Sequence, residues 1–161
     1  MTEKEQFLGT LEREFPTTMR VLKAFPTGKS DLKPTAKCRS AKELAWTFVV
    51  EEKASEQALD GAINLGKMPP APGSLPEVIA TYERTHKAFT DRVKQTPEAE
   101  LNKTVQFFVG PKQMGDVRKM DVLWFMLMDA VHHRGQMSVY LRMADAKVPS
   151  IYGPSADEPW M

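Results

Sequence analysis

The sequence predicts an all-α chain built as a four-helix bundle, on three observations. Apolar residues recur at spacings of three and four in four long stretches. Two of those stretches are preceded by a Ser with Glu three residues on, Ser40/Glu43 and Ser74/Glu77, the signature of a capping box. The last stretch, Val122 to Leu141, is apolar nearly all round, as suits a central helix.

Taken in order, Phe7, Leu8, Leu11, Phe15, Leu22 and Phe25 predict a first helix, with Pro16 kinking or breaking it midway. Residues 25–39 carry Pro26, Gly28 and Pro34 and read as an irregular connection. Ser40 caps a second helix over about 41–60, which buries Leu44, Trp46 or Phe48, and Val49 or Val50. The breaker segment Gly66–Gly73 leads to Ser74 and a third helix, where Ile79, Tyr82, His86, Phe89 and Val93 keep one stripe until Thr96 and Pro97. Residues 98–117 are less decided: Val105–Val109 reads as a short strand with no evident partner, and negligible sheet is expected. The fourth long helix, from Asp116 or Lys119 to Ala144, is expected to be the most buried. Residues 148–161, rich in Pro, Gly and Ser, are expected to run irregularly over the surface. With long connections, the natural architecture is one antiparallel bundle over residues 1–161 with at least one crossover.

Composition narrows the function. Lys and Arg number 22 against 21 Asp and Glu, a net charge of +1, so no nucleic-acid or anionic-membrane partner is expected. No apolar run approaches the roughly 20 residues that cross a bilayer. The start, Met-Thr-Glu-Lys-Glu-Gln, is acidic where a signal peptide is basic, and the lone Cys38 rules out an internal disulfide, so a cytoplasmic protein is expected. Cys38 has only Lys37 and Arg39 beside it, a thin basis for a nucleophile.

The chemistry concentrates in Asp129-Ala-Val-His132-His133-Arg134-Gly135-Gln136. Val122, Phe125, Met126, Asp129, His133, Gln136 and Tyr140 share one helical face, and Asp129 lies one turn before His133. A carboxylate and an imidazole on an inward face need compensation. Either a divalent metal or a simple Asp–His hydrogen bond supplies it. Gln136 is placed to brace such a site and Tyr140 to lend it a phenol. His132 is about 100° away and reads as packed or supporting. Arg134 points elsewhere, toward a salt bridge. His86, replacing an apolar residue in the third helix, is a reserve ligand.

His132-His133-Arg134-Gly135-Gln136 and its helix, the closing Val148-Pro-Ser-Ile-Tyr-Gly-Pro-Ser155, and Pro34 before Ser40-Ala-Lys-Glu-Leu-Ala-Trp46 together resemble the DinB family. The resemblance implies an up-up-down-down bundle, usually a homodimer, and a divalent metal held by three histidines. One of these lies on the second helix and two, one turn apart, on the fourth. It also implies a metal-dependent transferase that acts with a low-molecular-weight thiol on a small electrophile. His133 matches the last ligand. Asp129 stands where the preceding His is usual, and Thr47 where the second-helix His is usual. Glu51, one turn on and on the face of Leu44 and Phe48, is positioned to substitute, while Glu52 and Lys53 read as solvated. A Glu51/Asp129/His133 set suits zinc, nickel, iron or manganese, and its anionic oxygens favour the harder Mn and Fe. The rival reading is a non-catalytic stress-related or ligand-binding bundle with an eroded metal site. Apolar positions left after one core, such as Trp46, Val50 and Trp124, are expected to serve a dimer.

Overall fold

A computed structural model describes all residues, Met1–Met161, and the chain is mostly helical with one small sheet. The long helices are α1 (Glu3–Lys23), α2 (Ala41–Asp60), α3 (Leu75–Gln95) and α5 (Lys119–Met143). A single turn, α4 (Glu98–Leu101), and a hairpin of β1 (Thr104–Gly110) and β2 (Gln113–Arg118) join α3 to α5.

The starts of α2 and α3 are as the sequence predicts, with both capping boxes closed at Ser40/Glu43 and Ser74/Glu77. A third closes at Thr2/Glu5. Gly61, at φ 94°, ends α2 in the left-handed conformation that glycine adopts without a Cβ penalty. The expected break at Pro16 does not occur: α1 runs through it. Pro16 and Glu12, whose carbonyl loses its partner there, both lie on the exposed side, where water compensates.

Two other expectations are corrected. The sheet is small but real: β1 and β2 pair antiparallel, with Val105 opposite Val117 and Phe107 opposite Gly115. Val105 and Phe107 point into the bundle, while Gln106 and Phe108 point out. Gln-Met-Gly-Asp-Val-Arg has little strand character of its own, so the pairing partner was hidden. Nor is α5 the most buried helix. It buries ten of its 25 residues against twelve of 20 in α2. Phe125, Met128, Val139 and Met143 form an exposed apolar row along it.

Side-chain ties fix the helix directions. Glu3 meets Arg118, Phe7 meets Trp124 and Glu14 meets Arg134, so α1 and α5 run parallel. Lys42 reaches Gly73, Glu52 meets His86 and Asp60 meets Arg92, so α2 and α3 run parallel. Glu51–His133 and Leu59–Lys119 set α2 against α5. The order is therefore up-down-down-up, which corrects the up-up-down-down arrangement implied by the resemblance. Parallel α2 and α3 require the connection over residues 61–74 to travel the length of the bundle. It is the crossover, pinned where Trp46 Nε1 donates to the Pro69 carbonyl at 3.1 Å.

Candidate metal centre

Glu51 sits on the inner face of α2, one turn before Ser55 and one turn after Thr47. Asp129 and His133 are one turn apart on the facing, antiparallel α5. One donor atom from each lies within 4.8 Å of the other two. His133 Nδ1 is 2.6 Å from Glu51 Oε1 and 3.9 Å from Asp129 Oδ2. Those two spacings bracket the roughly 3.4 Å that separates donors around a tetrahedral ion bound at about 2.1 Å. Glu51 is almost wholly buried, whereas the Asp129 side chain is 38% exposed. The cluster therefore stands at the rim of the bundle and opens to solvent beside Asp129, not deep in the core as the helical face suggested.

Burial pushes the Glu51 carboxyl up to about 7, although the hydrogen bond and charge of His133 pull it down, and nearby Asp129 adds to the rise. His133 is raised above an ordinary histidine, first by that hydrogen bond and against the effect of burial. Glu51 Oε2 is buried with no hydrogen-bond partner. A carboxylate oxygen kept from water and given nothing to bind is costly, and a cation beside it relieves that cost. Two carboxylates and an imidazole are donors that first-row divalent ions accept. The residues present fit such an ion.

The other residues singled out in the sequence divide. Thr47 does not face the cluster. Its hydroxyl donates to the Glu43 carbonyl at 3.3 Å and accepts from the Arg39 guanidinium at 2.9 Å. Gln136 does not brace Asp129 or His133 but donates from its amide to exposed His132 at 2.8 Å. The Tyr140 hydroxyl donates to the Arg39 carbonyl at 2.9 Å, and its ring shares a hollow with His133 and Gln136.

His86 does not join the three ligands. It is buried beneath the stacked ring of Phe15, and its Nδ1 lies 2.6 Å from Glu52 Oε1. Glu52, expected to be solvated, is thus inside the bundle. Burial drives the Glu52 carboxyl well up and the His86 imidazole down to about 4, disfavouring the charged form of each. Nothing in the sequence distinguishes Glu52 from its solvated neighbour Lys53; only the parallel packing of α3 on α2 turns it inward. Arg134 makes the salt bridge expected of it, buried against α1 with Glu14 at 2.5 Å.

Comparison with known proteins agrees with this architecture. YrdA of Bacillus subtilis (strain 168) is 32% identical over 90 residues, 55% of this chain, and the match spans about half, 51%, of that relative. Three solved structures share the fold at low identity. A DinB-like protein from Bacillus subtilis, YjoA, has a TM-score of 0.73 at 14% identity, over 97% of this chain and 99% of that one. A DinB-like protein from Bacillus cereus ATCC 10987 has 0.72 at 22%, over 92% and 97%. YfiT from Bacillus subtilis, described as a probable metal-dependent hydrolase with an unusual four-helix bundle topology, has 0.69 at 9%, over 89% of each chain. The family model described as the DinB family matches residues 1–160, all but the last, and so the chain belongs to the DinB family.

Proposed function

We propose that this chain is a divalent-metal protein in which Glu51, Asp129 and His133 hold one ion of zinc, nickel, manganese or iron. The observation that carries this reading is the convergence of three donors from two helices on one point, with a buried Glu51 oxygen left unpartnered. The reaction proposed is metal-dependent transfer of a low-molecular-weight thiol to a small electrophile. Bound there, the ion supplies Lewis acidity, making a thiol or water a nucleophile at neutral pH. The description of YfiT as a probable metal-dependent hydrolase supports metal chemistry in this fold and makes water the alternative nucleophile. Glu51 and His133 would ligate in their deprotonated forms, and Asp129, at the solvent edge, leaves a side open to an incoming molecule. The rival is a non-catalytic bundle in which the 2.6 Å Glu51–His133 hydrogen bond is the whole of the site.

Elemental analysis of protein purified without chelator separates the two, joined to melting curves with added Zn, Ni or Mn. The pH dependence adds a signature. Glu51 has a folded value of about 7 against 4.5, and His133 is raised above 6.5. Raised groups lend stability at low pH and lose it as pH climbs through the folded value. His86, lowered to about 4, acts only on acidification below 6.5. From pH 6.5 to 8 the metal-free protein should therefore lose about 1 kcal/mol, roughly 2–4 °C of melting temperature. The gain on adding metal should grow over the same range. One bound ion per chain with this profile supports the proposal. No metal and no shift hands the site to the rival.

The protein is further proposed to be cytoplasmic and to pair with itself. No helix is long and apolar enough to cross a membrane. The residues expected to serve a dimer are used within the chain: Trp46 is held by Pro69, and Trp124 packs edge-on against Phe7 at 5.1 Å. Exposed Phe125 and Met128 on α5 replace them as the pairing face, leaving Val139 to the hollow it shares with His133. Light scattering should return twice the 18.2 kDa chain mass, and Met128→Asp should return the chain mass alone. A wild-type protein at 18.2 kDa refutes the pairing.

A further inference from the structure

Two open hollows, of about 420 and 460 Å³, lie where the α1–α2 connection meets α2 and α5, and the second reaches His133 of the candidate centre. One is lined by Trp46, Thr47 and Val50, the other by Leu44, Val139, Tyr140 and His133. Cys38 and Arg39 line both: the Arg39 guanidinium meets Thr47 on the wall of the first, and its carbonyl meets Tyr140 on the wall of the second. Volumes of this size suit small ligands.

The charges in the cleft are unevenly committed. Of the groups that line it, Glu43 is engaged, accepting from the Ser40 amide at 2.7 Å and facing Lys33 at 3.6 Å. His133 is tied to Glu51, with Asp129 behind it. Lys37 and Arg39 have no carboxylate within 4.0 Å. The single side-chain hydrogen bond of the Arg39 guanidinium goes to Thr47 Oγ1. A guanidinium carries five donors in a planar fork matched to a carboxylate, and fixing one of them leaves the others oriented and free. Thr47 thus does work in this chain that a ligand in its place would not do: it aims Arg39.

We propose that this cleft takes a small carboxylate-bearing molecule, its carboxylate gripped by Arg39 and its apolar remainder lying over Leu44, Val139 and Tyr140 toward His133. This names a substrate class for the metal centre proposed above and rests on that reading for what the far end of the molecule meets, but not for the grip itself. Arg39 is the specificity residue and Thr47 its positioning residue. The guanidinium repels cationic analogues and gives uncharged ones no charge-assisted contact, so discrimination is by charge at one end.

The test uses phenylacetate and its neutral isostere phenylacetamide, titrated calorimetrically into dimeric or monomeric full-length protein stripped with phenanthroline, a chelator without carboxylates. Phenylacetate should bind, and phenylacetamide should bind at least about tenfold more weakly, as the loss of a charge-assisted bidentate contact requires. Arg39→Gln should weaken phenylacetate by about tenfold while leaving phenylacetamide unchanged, and Thr47→Val should weaken it by a smaller factor. Lys23→Gln, an exposed cation on α1, should change nothing. Arg39 is exposed, so its replacement should leave the melting temperature in place, and that is checked on the same samples. Absence of phenylacetate binding, equal binding of the amide, or an unaffected Arg39→Gln variant overturns the proposal. Zinc titration of the same stripped protein keeps the two readings apart. A chain that grips phenylacetate through Arg39 but takes no zinc retains this cleft and loses the metal centre, and the converse result does the reverse.

Discussion

Arg134→Ala should cost about 3–5 kcal/mol of folding stability, roughly 6–20 °C of melting temperature for a chain of this length. Arg134 is 1% exposed, the largest fully buried side chain in the molecule. Its guanidinium donates to Glu14 Oε2 at 2.5 Å, the Glu14 carbonyl at 3.1 Å, Thr18 Oγ1 at 3.2 Å and the Tyr152 hydroxyl at 2.5 Å. Truncation leaves the Glu14 carboxylate without its cation, the Thr18 and Tyr152 hydroxyl oxygens without their donor and a cavity between α1 and α5. Arg134→Lys should recover only part of the loss, since one ammonium cannot span four partners in a plane. The double variant Glu14→Met/Arg134→Met should recover more than Arg134→Met alone, because it removes both charges together. Urea unfolding measures all four. A loss under about 1 kcal/mol for Arg134→Ala would show that the buried pair contributes nothing net.

Asp129→Ala and His133→Ala should each abolish metal binding, since two donors cannot hold an ion that three bind. Glu51→Gln should weaken binding, because a neutral amide replaces a buried carboxylate. His86→Ala should leave metal affinity intact, and so should Glu52→Gln, although that change disturbs the Glu52–His86 hydrogen bond and so alters stability. Calorimetric titration with zinc and manganese reads the affinities directly. Unchanged affinity in Asp129→Ala removes Asp129 from the site, and with it the centre as assigned. A selective loss in His86→Ala would instead move the ion toward α3.

Elements set by neighbours in sequence were legible, and those set by distant packing were not. The capping boxes at Ser40 and Ser74 and the spacing of Tyr82, Phe89 and Val93 fixed α2 and α3, because those signals are local. The pairing of Asp129 with His133 could be read because their shared face is dictated by their own helix, whereas Glu51 came to them only through the resemblance to the DinB family. The hairpin partner of β1 was hidden, since Gln113–Arg118 is largely exposed and offers only Val117 to the apolar cluster under the hairpin. The fates of Glu52 and His86 were hidden too, for a parallel α2/α3 contact is invisible until the crossover over residues 61–74 is known. Arg39 escaped notice because a lone arginine in a loop means nothing before the hollow around it exists.

The up-down-down-up order has a consequence for how the chain is made. Apart from Glu52–His86 between α2 and α3, the long polar ties of the bundle interior end on α5: Glu14–Arg134 spans 120 residues, Glu51–His133 spans 82 and Leu59–Lys119 spans 60. As the chain leaves the ribosome, α1, α2 and α3 emerge with these carboxylates and carbonyls unanswered, and an N-terminal fragment has no means of answering them. Stable structure must then await the last helix, with folding slowed by contacts of long sequence separation. A nascent chain accordingly cannot close its bundle until α5 has cleared the exit tunnel, and the Glu14–Arg134 cluster is complete only once Tyr152 of the tail has followed.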